Sequence, residues 1–244
     1  MSTLETGTIE PQSGTTVTLG ASGDAVVIGA DALKVNTIKD AGANTILTSD
    51  GSGTLSSVNS GLTGNMVYIN SATASGDASL SFTSGIDSTY DEYVFMFVNI
   101  NPASGTNTKF QFQVSTDGGS SYGVNITSTF FYAMHDEADT STTLTYSTAS
   151  DLAESTSYQM LTEGIGIAAD ESASGVLHLF DPSSTASVKH FYCNANGVYN
   201  AGSAPYSLNA FSAGYVNSTS AVDAIDFKVS TGNFDGTIYL YGIK

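Results

Sequence analysis

The chain contains no arginine and few basic residues of any kind. Its 244 residues include six lysines against 23 acidic side chains, which gives a formal net charge of −17. Binding to nucleic acid requires cationic side chains that face the phosphates, and anionic membrane surfaces attract basic segments for the same reason. The composition therefore argues against nucleic acid and anionic membranes as partners. We expect the sparse negative charge to keep a surface rich in Ser, Thr and Gly soluble.

Cysteine and long apolar runs are also scarce. Cys193 is the only cysteine, so no disulfide can form within the chain. Its aromatic, strand-like surroundings predict a small buried apolar residue. No apolar run approaches the length of about 18 residues that spans a membrane, so we expect no membrane insertion. The first five residues lack the basic start of a signal peptide, and we expect synthesis in the cytoplasm.

No pattern typical of a catalytic, cofactor or metal site is present. His135, His178 and His190 lack the close His/Cys/Asp spacing of a zinc site. His178 alternates with Leu177 and Leu179, which predicts that it faces solvent or a subunit partner. Neither a nucleophile elbow nor a phosphate-binding glycine loop is recognisable. We therefore expect a protein that is not an enzyme and holds no cofactor or metal.

Calcium binding is the one metal alternative, because acidic residues cluster at three places. Calcium takes about six to eight oxygen ligands, and clusters of two or three carboxylates meet that need only in part. Solvated turns are the alternative interpretation. The clusters are Asp87 with Asp91 and Glu92, Asp136 with Glu137 and Asp139, and Asp170 with Glu171.

Residues 1–62 contain no aromatic residue, histidine or cysteine, and they carry a weak repeat. Val17, Val26 and Val35 are nine residues apart, each in a short apolar piece followed by turn residues. A repeat of this size cannot bury its apolar face alone. The pattern predicts a stalk of short strands intertwined with those of other copies. A flexible Ser/Gly-rich linker is the alternative.

Residues 63–244 read as one strand after another. Clean alternation in residues 109–115 precedes a tight turn at residues 116–119, and the apolar stretch 92–100 is typical of a central strand covered on both faces. A helical turn is possible only within residues 149–161. About twelve short strands predict a β-sandwich or jelly roll. Further strands are predicted near residues 66–70, 78–83, 124–133, 142–147, 158–162, 176–180, 187–194, 207–216, 224–229 and 236–243.

One stretch has the composition of a contact surface. Residues 197–206, GVYNAGSAPY, are predicted to form a long loop. Tyrosine together with Ser, Gly and Asn is typical of adaptable binding loops and of stacking on sugars. Tyr199, Asn200 and Tyr206 are therefore the candidate contact residues. The alternative is an ordinary loop whose tyrosines lie over the edge of the sandwich.

Four segments resemble parts of virion appendage proteins. Residues 33–42 (LKVNTIKDAG) and 44–53 (NTILTSDGSG) are similar to N-terminal segments of tail-fibre-like proteins from tailed bacteriophages of aquatic bacteria. Residues 114–122 (VSTDGGSSY) and 236–243 (GTIYLYGI) resemble the β-sandwich heads of such proteins. The resemblance implies a homotrimeric structural protein of the virion. It also implies that residues 1–30 dock on other virion proteins, and that the head faces the host surface and its glycans.

The length of the chain keeps two other functions open. Tail fibres that contact hosts are often much longer, and 62 residues make a short stalk. A capsid decoration or head-fibre protein, with the sandwich projecting from the shell, is the first alternative. The second is a carbohydrate-binding module or a small glycan-degrading tailspike. The degrading version would need paired carboxylates in a groove, and the sequence does not show such a pair.

Overall fold

The computed structural model describes residues 37–40, 42–52, 54–58, 65–105, 107–200 and 204–244. The chain divides into two compact units, Met1–Leu62 and Thr63–Lys244. Every regular element in the described residues is a β-strand, so the predicted all-β class is confirmed. Within that part of the chain, no helix is long and apolar enough to cross a membrane.

The described part of the first unit is a small antiparallel sheet. Its strands are joined by tight turns, and the second turn is held by Asp50, whose carboxylate accepts hydrogen bonds from Ser52 N at 2.8 Å and Thr54 N at 3.1 Å. The strands are β1 (Thr37–Lys39), β2 (Thr45–Ser49) and β3 (Leu55–Val58), in the order β1-β2-β3.

This small sheet buries none of the side chains whose exposure is described. Ile38 is 39% exposed and Leu55 is 52% exposed. A sheet without a buried face has little stability of its own in water. The repeated valines Val17, Val26 and Val35 lie outside the described residues. The intertwined stalk therefore stays a prediction, while β1 to β3 pair within one chain as consecutive antiparallel neighbours.

The second unit contains twelve strands, and each lies at a predicted position. Their extended runs of β-branched and aromatic residues are separated by Gly, Asp, Ser and Asn, as expected of short antiparallel strands. The strands are β4 (Met66–Asp77), β5 (Ser79–Phe82), β6 (Glu92–Pro102), β7 (Phe110–Ser115), β8 (Ile126–Asp136), β9 (Thr142–Tyr146), β10 (Gln159–Met160), β11 (Ala173–Phe180), β12 (Lys189–Asn200), β13 (Pro205–Val216), β14 (Ala224–Val229) and β15 (Phe234–Ile243).

These twelve strands form two antiparallel sheets that share a core. The smaller sheet has the order β10-β7-β14-β5, and the larger has the order β4-β15-β6-β11-β12-β13-β8-β9. Aromatic rings from both sheets meet between them. Phe227 of β14 lies 5.4 Å from Phe95 of β6, and Phe112 of β7 lies 5.1 Å from Phe191 of β12. All four side chains are at most 2% exposed.

The eight-stranded sheet is wider than its partner, and a second, smaller core completes its coverage. Phe130, Leu208 and Ala210, from β8 and β13, are buried there. Met160 and Tyr199 pack against this group. Met160 of β10, the edge strand of the four-stranded sheet, therefore covers this part of the inner face.

The alternation predicted for β7 is confirmed, but its polar side is also buried. Phe110, Phe112 and Val114 are fully buried, and so is Gln113. The amide of Gln113 donates to the carbonyls of Val124, Thr156 and Ser157 at 3.0 to 3.1 Å. Because these bonds satisfy the amide, a polar residue is retained on a covered face.

Two local predictions are wrong. Strand β6 is central, but its outer side is only partly covered, since Val98 is 40% exposed and Met96 is half-buried. Residues 149–161 contain turns and the short strand β10 and form no helix. The apolar pattern of β6 does not show whether a second layer covers its outer side, because that layer depends on the three-dimensional packing.

Buried Cys193 and Lys189 both lie in β12. Cys193 is fully buried, as predicted, and burial raises the pKa of its thiol. Lys189 is also fully buried, which the sequence did not indicate. Its ammonium donates to the carbonyls of Ser187 at 3.1 Å and Ser218 at 2.9 Å. These backbone carbonyls replace the water that the charged group loses on burial.

Asp117 organises the turn that follows β7. Its carboxylate accepts hydrogen bonds from the hydroxyls of Ser115 and Ser121, both at 2.6 Å, and from Ser121 N at 2.9 Å. These bonds lower the pKa of Asp117 from 3.8 to about 2. Gly118 and Gly119 adopt φ values of 71° and 83°, which favour glycine. The predicted turn at residues 116–119 is confirmed, although it leads from one sheet to the other.

The substitution Asp117→Asn should lower thermal stability at neutral pH and lose its effect in acid. Because the folded pKa lies below the unfolded value of 3.8, the stabilisation is complete above about pH 4 and disappears as the pH falls through about 2. Melting curves of both proteins from pH 7 down to pH 2 would measure this convergence. Asp170→Asn, on an exposed turn, is the control. A constant difference between the Asp117→Asn and unmodified proteins at all pH values would contradict the role of the ionised carboxylate.

Candidate functional site on the outer face of the eight-stranded sheet

The outer face of the eight-stranded sheet carries most of the exposed apolar side chains of the second unit. Among the described residues 65–244, eight large apolar side chains are exposed, and seven of these project from strands of this sheet. Ile167, in the segment between β10 and β11, is the exception. The seven are Met66, Tyr68, Val98, Phe131, Leu144, Tyr146 and Tyr192.

Strand register aligns these side chains into rows. Successive residues of a strand point to opposite faces, so the residues that alternate with the core residues share the outer face. One row crosses the whole sheet, and nearly all of its members are apolar or aromatic. In the order of the strands it contains Ser71, Tyr239, Met96, Val176, Asn194, Phe211, Phe131 and Tyr146.

The next row is centred on His178. It contains Tyr68, Tyr241, Val94, His178, Tyr192, Ala213 and Thr129. A third row adds Met66, Ile243, Glu92 and Phe180 on one side of the sheet and His190, Tyr215 and Thr127 on the other. We call these three rows the aromatic band.

His178 lies on the outer face, as its alternation with Leu177 and Leu179 predicts. Its Nδ1 is 2.5 Å from Glu92 Oε1, and its ring stacks on Tyr192 at 4.3 Å with an interplanar angle of 15°. Phe180 stacks on the other side of the group, 5.8 Å from Tyr192. The imidazole is therefore held by a carboxylate and an aromatic ring. These contacts fix the orientation of its ring.

The rings of the aromatic band stack on one another. Phe131 and Phe211 lie 5.5 Å apart with an interplanar angle of 7°, which matches the nearly parallel stacking of His178 on Tyr192. Each ring in these pairs is in contact with its neighbour, which restricts the orientation of its side chain.

The aromatic band carries almost no charge. Glu92 is the only carboxylate among the residues of its three rows, and it is paired with His178. The chain as a whole carries a net charge of −17. Its acidic side chains are therefore concentrated on other surfaces.

A polar band lies beside the aromatic band, on the same face. Its polar members are Thr73, Thr237, Ser174, Asn196, Asn209, Ser207, His135 and Thr142, and the same two rows include the apolar residues Val98, Ala133, Leu144 and Val198. Asn196 Nδ2 donates to Ser207 Oγ at 3.2 Å and to the carbonyl of Leu208 at 3.1 Å. A shallow cavity of about 220 Å³ opens here, lined by Ala133, Met134, His135, Ser207 and Asn209. Amide, hydroxyl and imidazole groups around a shallow cavity are able to hydrogen-bond a sugar.

The two bands lie toward opposite ends of the sheet. The first described residue of this unit, Asn65, and the last strand, β15, meet at one end, where Lys244 N donates to the carbonyl of Asn65. We call this the proximal end. The β12–β13 hairpin and the β8–β9 turn meet at the distal end, where Glu137 N donates to the carbonyl of Pro205 at 2.9 Å. The polar band lies nearer the distal end.

Tyr199, Asn200 and Tyr206 lie at the distal end, but in strands. The prediction of a long loop over residues 197–206 is wrong, because β12 continues to Asn200 and β13 begins at Pro205. Tyr199 and Tyr206 are directly paired across the hairpin, with their rings 6.3 Å apart. Tyr199 packs against the smaller core and is half-buried. The role of these residues as contacts remains a prediction.

The carboxylates of the acidic clusters considered for calcium accept hydrogen bonds from neighbouring groups of the same chain. Asp136 accepts hydrogen bonds from Thr140 N and Ser141 N at 2.8 and 2.9 Å, and these bonds, with one from the Thr140 hydroxyl, lower its pKa. Asp87 accepts from Thr89 N, and Glu171 accepts from Ala168 N. Across the described residues, no group of three or more His, Cys, Asp or Glu side chains is placed to hold a metal ion.

A partly buried cluster of Lys109, Glu163 and Ser150 has the residue types of a serine–lysine catalytic pair. Lys109 Nζ donates to Glu163 Oε1 at 2.7 Å and to Ser150 Oγ at 3.0 Å. Ser150 Oγ donates in turn to Glu163 Oε2 at 2.8 Å. A general base must accept the proton of the nucleophile, whereas this lysine donates to the serine. The cluster therefore joins β7 to the segment 147–165 as a structural contact.

Sequence reasoning located most of these residues in strands but missed the two bands. The signal was present where apolar residues occupy both phases of a strand, as in residues 93–98 and at Phe130–Phe131. Such a run indicates that both faces are apolar. It does not show whether the second face is covered by the same chain.

Comparison of the chain with protein families, with curated proteins and with solved structures finds no match. The surfaces described above are therefore interpreted from their own geometry and chemistry.

The substitution Gly164→Ala tests how tightly Tyr199 is fixed at the distal end. A Cβ at residue 164 would lie 2.6 Å from Tyr199 Cδ2 and 2.6 Å from Asn107 Oδ1. Overpacking of this kind should lower the free energy of unfolding by about 1–3 kcal/mol. Gly123→Ala is the control, because its Cβ would meet no atom within 4 Å. Equal stability of the two variants in urea unfolding would show that Tyr199 is free to move.

Proposed function

We propose that this protein is a non-enzymatic structural protein of a bacteriophage virion, a trimeric tail fibre that presents a β-sandwich to the host surface. In this proposal residues 1–30 attach to other virion proteins and residues 1–62 form an intertwined stalk. Residues 63–244 form the jelly-roll-like head. The similarity of residues 33–53, 114–122 and 236–243 to segments of tail-fibre-like proteins supports the virion context.

The observation that carries the proposal is the difference between the two ends of the head. The chain enters this unit at the proximal end, while the polar band lies toward the distal end. A domain carried on a stalk presents to the outside the end that is remote from its attachment. Recognition residues are commonly placed on loops and tips that a rigid scaffold positions.

The chemistry of the polar band favours glycan as the host ligand. His135, Ser207 and Asn209 line the shallow cavity, and Asn196 is hydrogen-bonded to Ser207. These groups are neutral or weakly basic donors and acceptors, which match sugar hydroxyls. Since the chain carries a net charge of −17, a strongly acidic polysaccharide would be repelled. The proposal therefore favours neutral segments of a surface polysaccharide.

Binding to bacterial surface polysaccharide should depend on the polar band. The full-length protein would be applied to immobilised lipopolysaccharide and capsular polysaccharide purified from a panel of Gram-negative aquatic bacteria. Asn209→Ala and His135→Ala should each weaken binding to the bound preparation about fivefold, since each removes about one net hydrogen bond. Asn70→Ala, on edge strand β4 outside the polar band, should leave binding unchanged.

Three outcomes would contradict this proposal. Absence of binding to every polysaccharide in the panel would argue against host attachment through glycan. Release of reducing sugar from a bound polysaccharide would show an enzyme, as in the tailspike alternative. Equal weakening by Asn70→Ala would show that the polar band is not the contact.

Labelling of virions that contain the chain would test its position. Gold-conjugated antibody raised against the full-length protein should mark the tail of negatively stained particles. Marking of the capsid surface would instead support the decoration or head-fibre alternative. In that case the distal end of the head would still face outward, but residues 1–30 would attach to the capsid instead of the tail.

A further inference from the structure

We infer that the aromatic band is the surface through which the β-sandwich binds a second copy of the same chain. This inference concerns the head itself, whereas the trimer predicted above depends on residues 1–62. It does not rest on the virion assignment or on glycan binding.

The first argument is the size of the band. Eight strands spaced about 4.8 Å apart and three rows of outward side chains cover about 34 Å by 20 Å, on the order of 700 Å². The largest apolar patch of a typical monomer measures about 300–600 Å². A stable protein–protein interface buries about 800 Å² on each partner. The whole band, which includes polar positions such as Ser71 and Asn194, is therefore close to the size of an interface.

The second argument is the distribution of charge. Two copies that each carry −17 repel one another over most of their surfaces. The aromatic band contains a single carboxylate, and Glu92 is already hydrogen-bonded to His178 at 2.5 Å. Contact through this band therefore brings two copies together without opposing their acidic groups. A strongly basic partner would gain nothing from a surface without acidic residues, which makes a second acidic copy the better match.

The third argument is the composition and geometry of the exposed side chains. Phe131 is 43% exposed, Tyr146 is 51% exposed and Tyr192 is 38% exposed. Aromatic residues are enriched in the central parts of protein interfaces, and charged residues are depleted there. Phe131 and Tyr192 are already stacked on Phe211 and His178, so they are held rigid before association. Such preorganised rings lose little side-chain entropy when they are buried.

Accessibility of an engineered cysteine in the full-length protein tests this inference directly. Thr129→Cys places a thiol on the outer face of β8, in the aromatic band, and Ser79→Cys places one on the exposed side of β5 in the other sheet. Native Cys193 is fully buried and its thiol pKa is raised by burial, so it should remain unlabelled. Maleimide modification would be followed over time in each variant, together with the molar mass of the protein by light scattering.

The cysteine of Thr129→Cys should react about fivefold more slowly than that of Ser79→Cys at about 10 µM protein, because a dissociation constant of about 1 µM leaves about a fifth of the chains unassociated at this concentration. Addition of Phe131→Asp, or independently Tyr146→Asp, should raise its reactivity to that of Ser79→Cys. Both replaced side chains are substantially exposed, and circular dichroism would verify that both variants remain folded. Because the assay reads the band itself, it is valid even where residues 1–62 keep the copies associated.

Three results would overturn the inference. Equal labelling of the two cysteines would show that the band is open to solvent, whatever the mass of the protein. Slow labelling in a protein with the mass of one chain would show that the same chain covers the band. Slow labelling that both aspartate variants leave unchanged would place the interface elsewhere. Polysaccharide binding is measured separately, so failure of either proposal is distinguishable from failure of the other.

Discussion

The packing of Phe227 between the two sheets determines the rest of the second unit. This fully buried ring lies 5.4 Å from Phe95, 5.7 Å from Phe110 and 6.3 Å from Phe82, so it joins strands of both sheets. Burial of one such side chain contributes about 1.5–3 kcal/mol. The contact fixes which phase of each strand faces inward. Because the period of a strand is two, it also fixes which residues form the outer face.

The predictable part of this fold is the part that depends on short-range pattern. Strand positions follow from alternation and from turn residues such as Asp117 and Gly118. The order of strands within the sheets is set by long-range pairing, as between β15 and both β4 and β6, for which local sequence holds no signal. Buried Lys189 and Gln113 were missed for a related reason, since their partners are carbonyls that only folding brings near. Neither polar residue type by itself predicts burial.

The residue types of the candidate site were predictable from the sequence, but their positions in the structure were predictable only in part. Residues 197–206 were recognised as rich in tyrosine and small residues, and the described part of this stretch, residues 197–200 and 204–206, lies at the distal end of the sheet. Their assignment as a loop was wrong because Tyr199 and Tyr206 form a cross-strand pair, a contact that stabilises extended structure. The aromatic band was missed because its members come from eight strands. Phe131 and Phe211 are 80 residues apart in sequence and become neighbours only through the pairing of β8 with β13.

The separation of the two bands along the same strands has a functional consequence. From the distal to the proximal end, the outward residues of β13 are Ser207, Asn209, Phe211, Ala213 and Tyr215, so the chemistry changes from polar to aromatic within one strand. A copy bound to the aromatic band would leave the distal part of the face available. The rigid strands that hold the interface would then also hold Asn209 and His135 in fixed positions. An assembly of two copies would contain two polar bands, and two weak sugar contacts acting together bind more tightly than one.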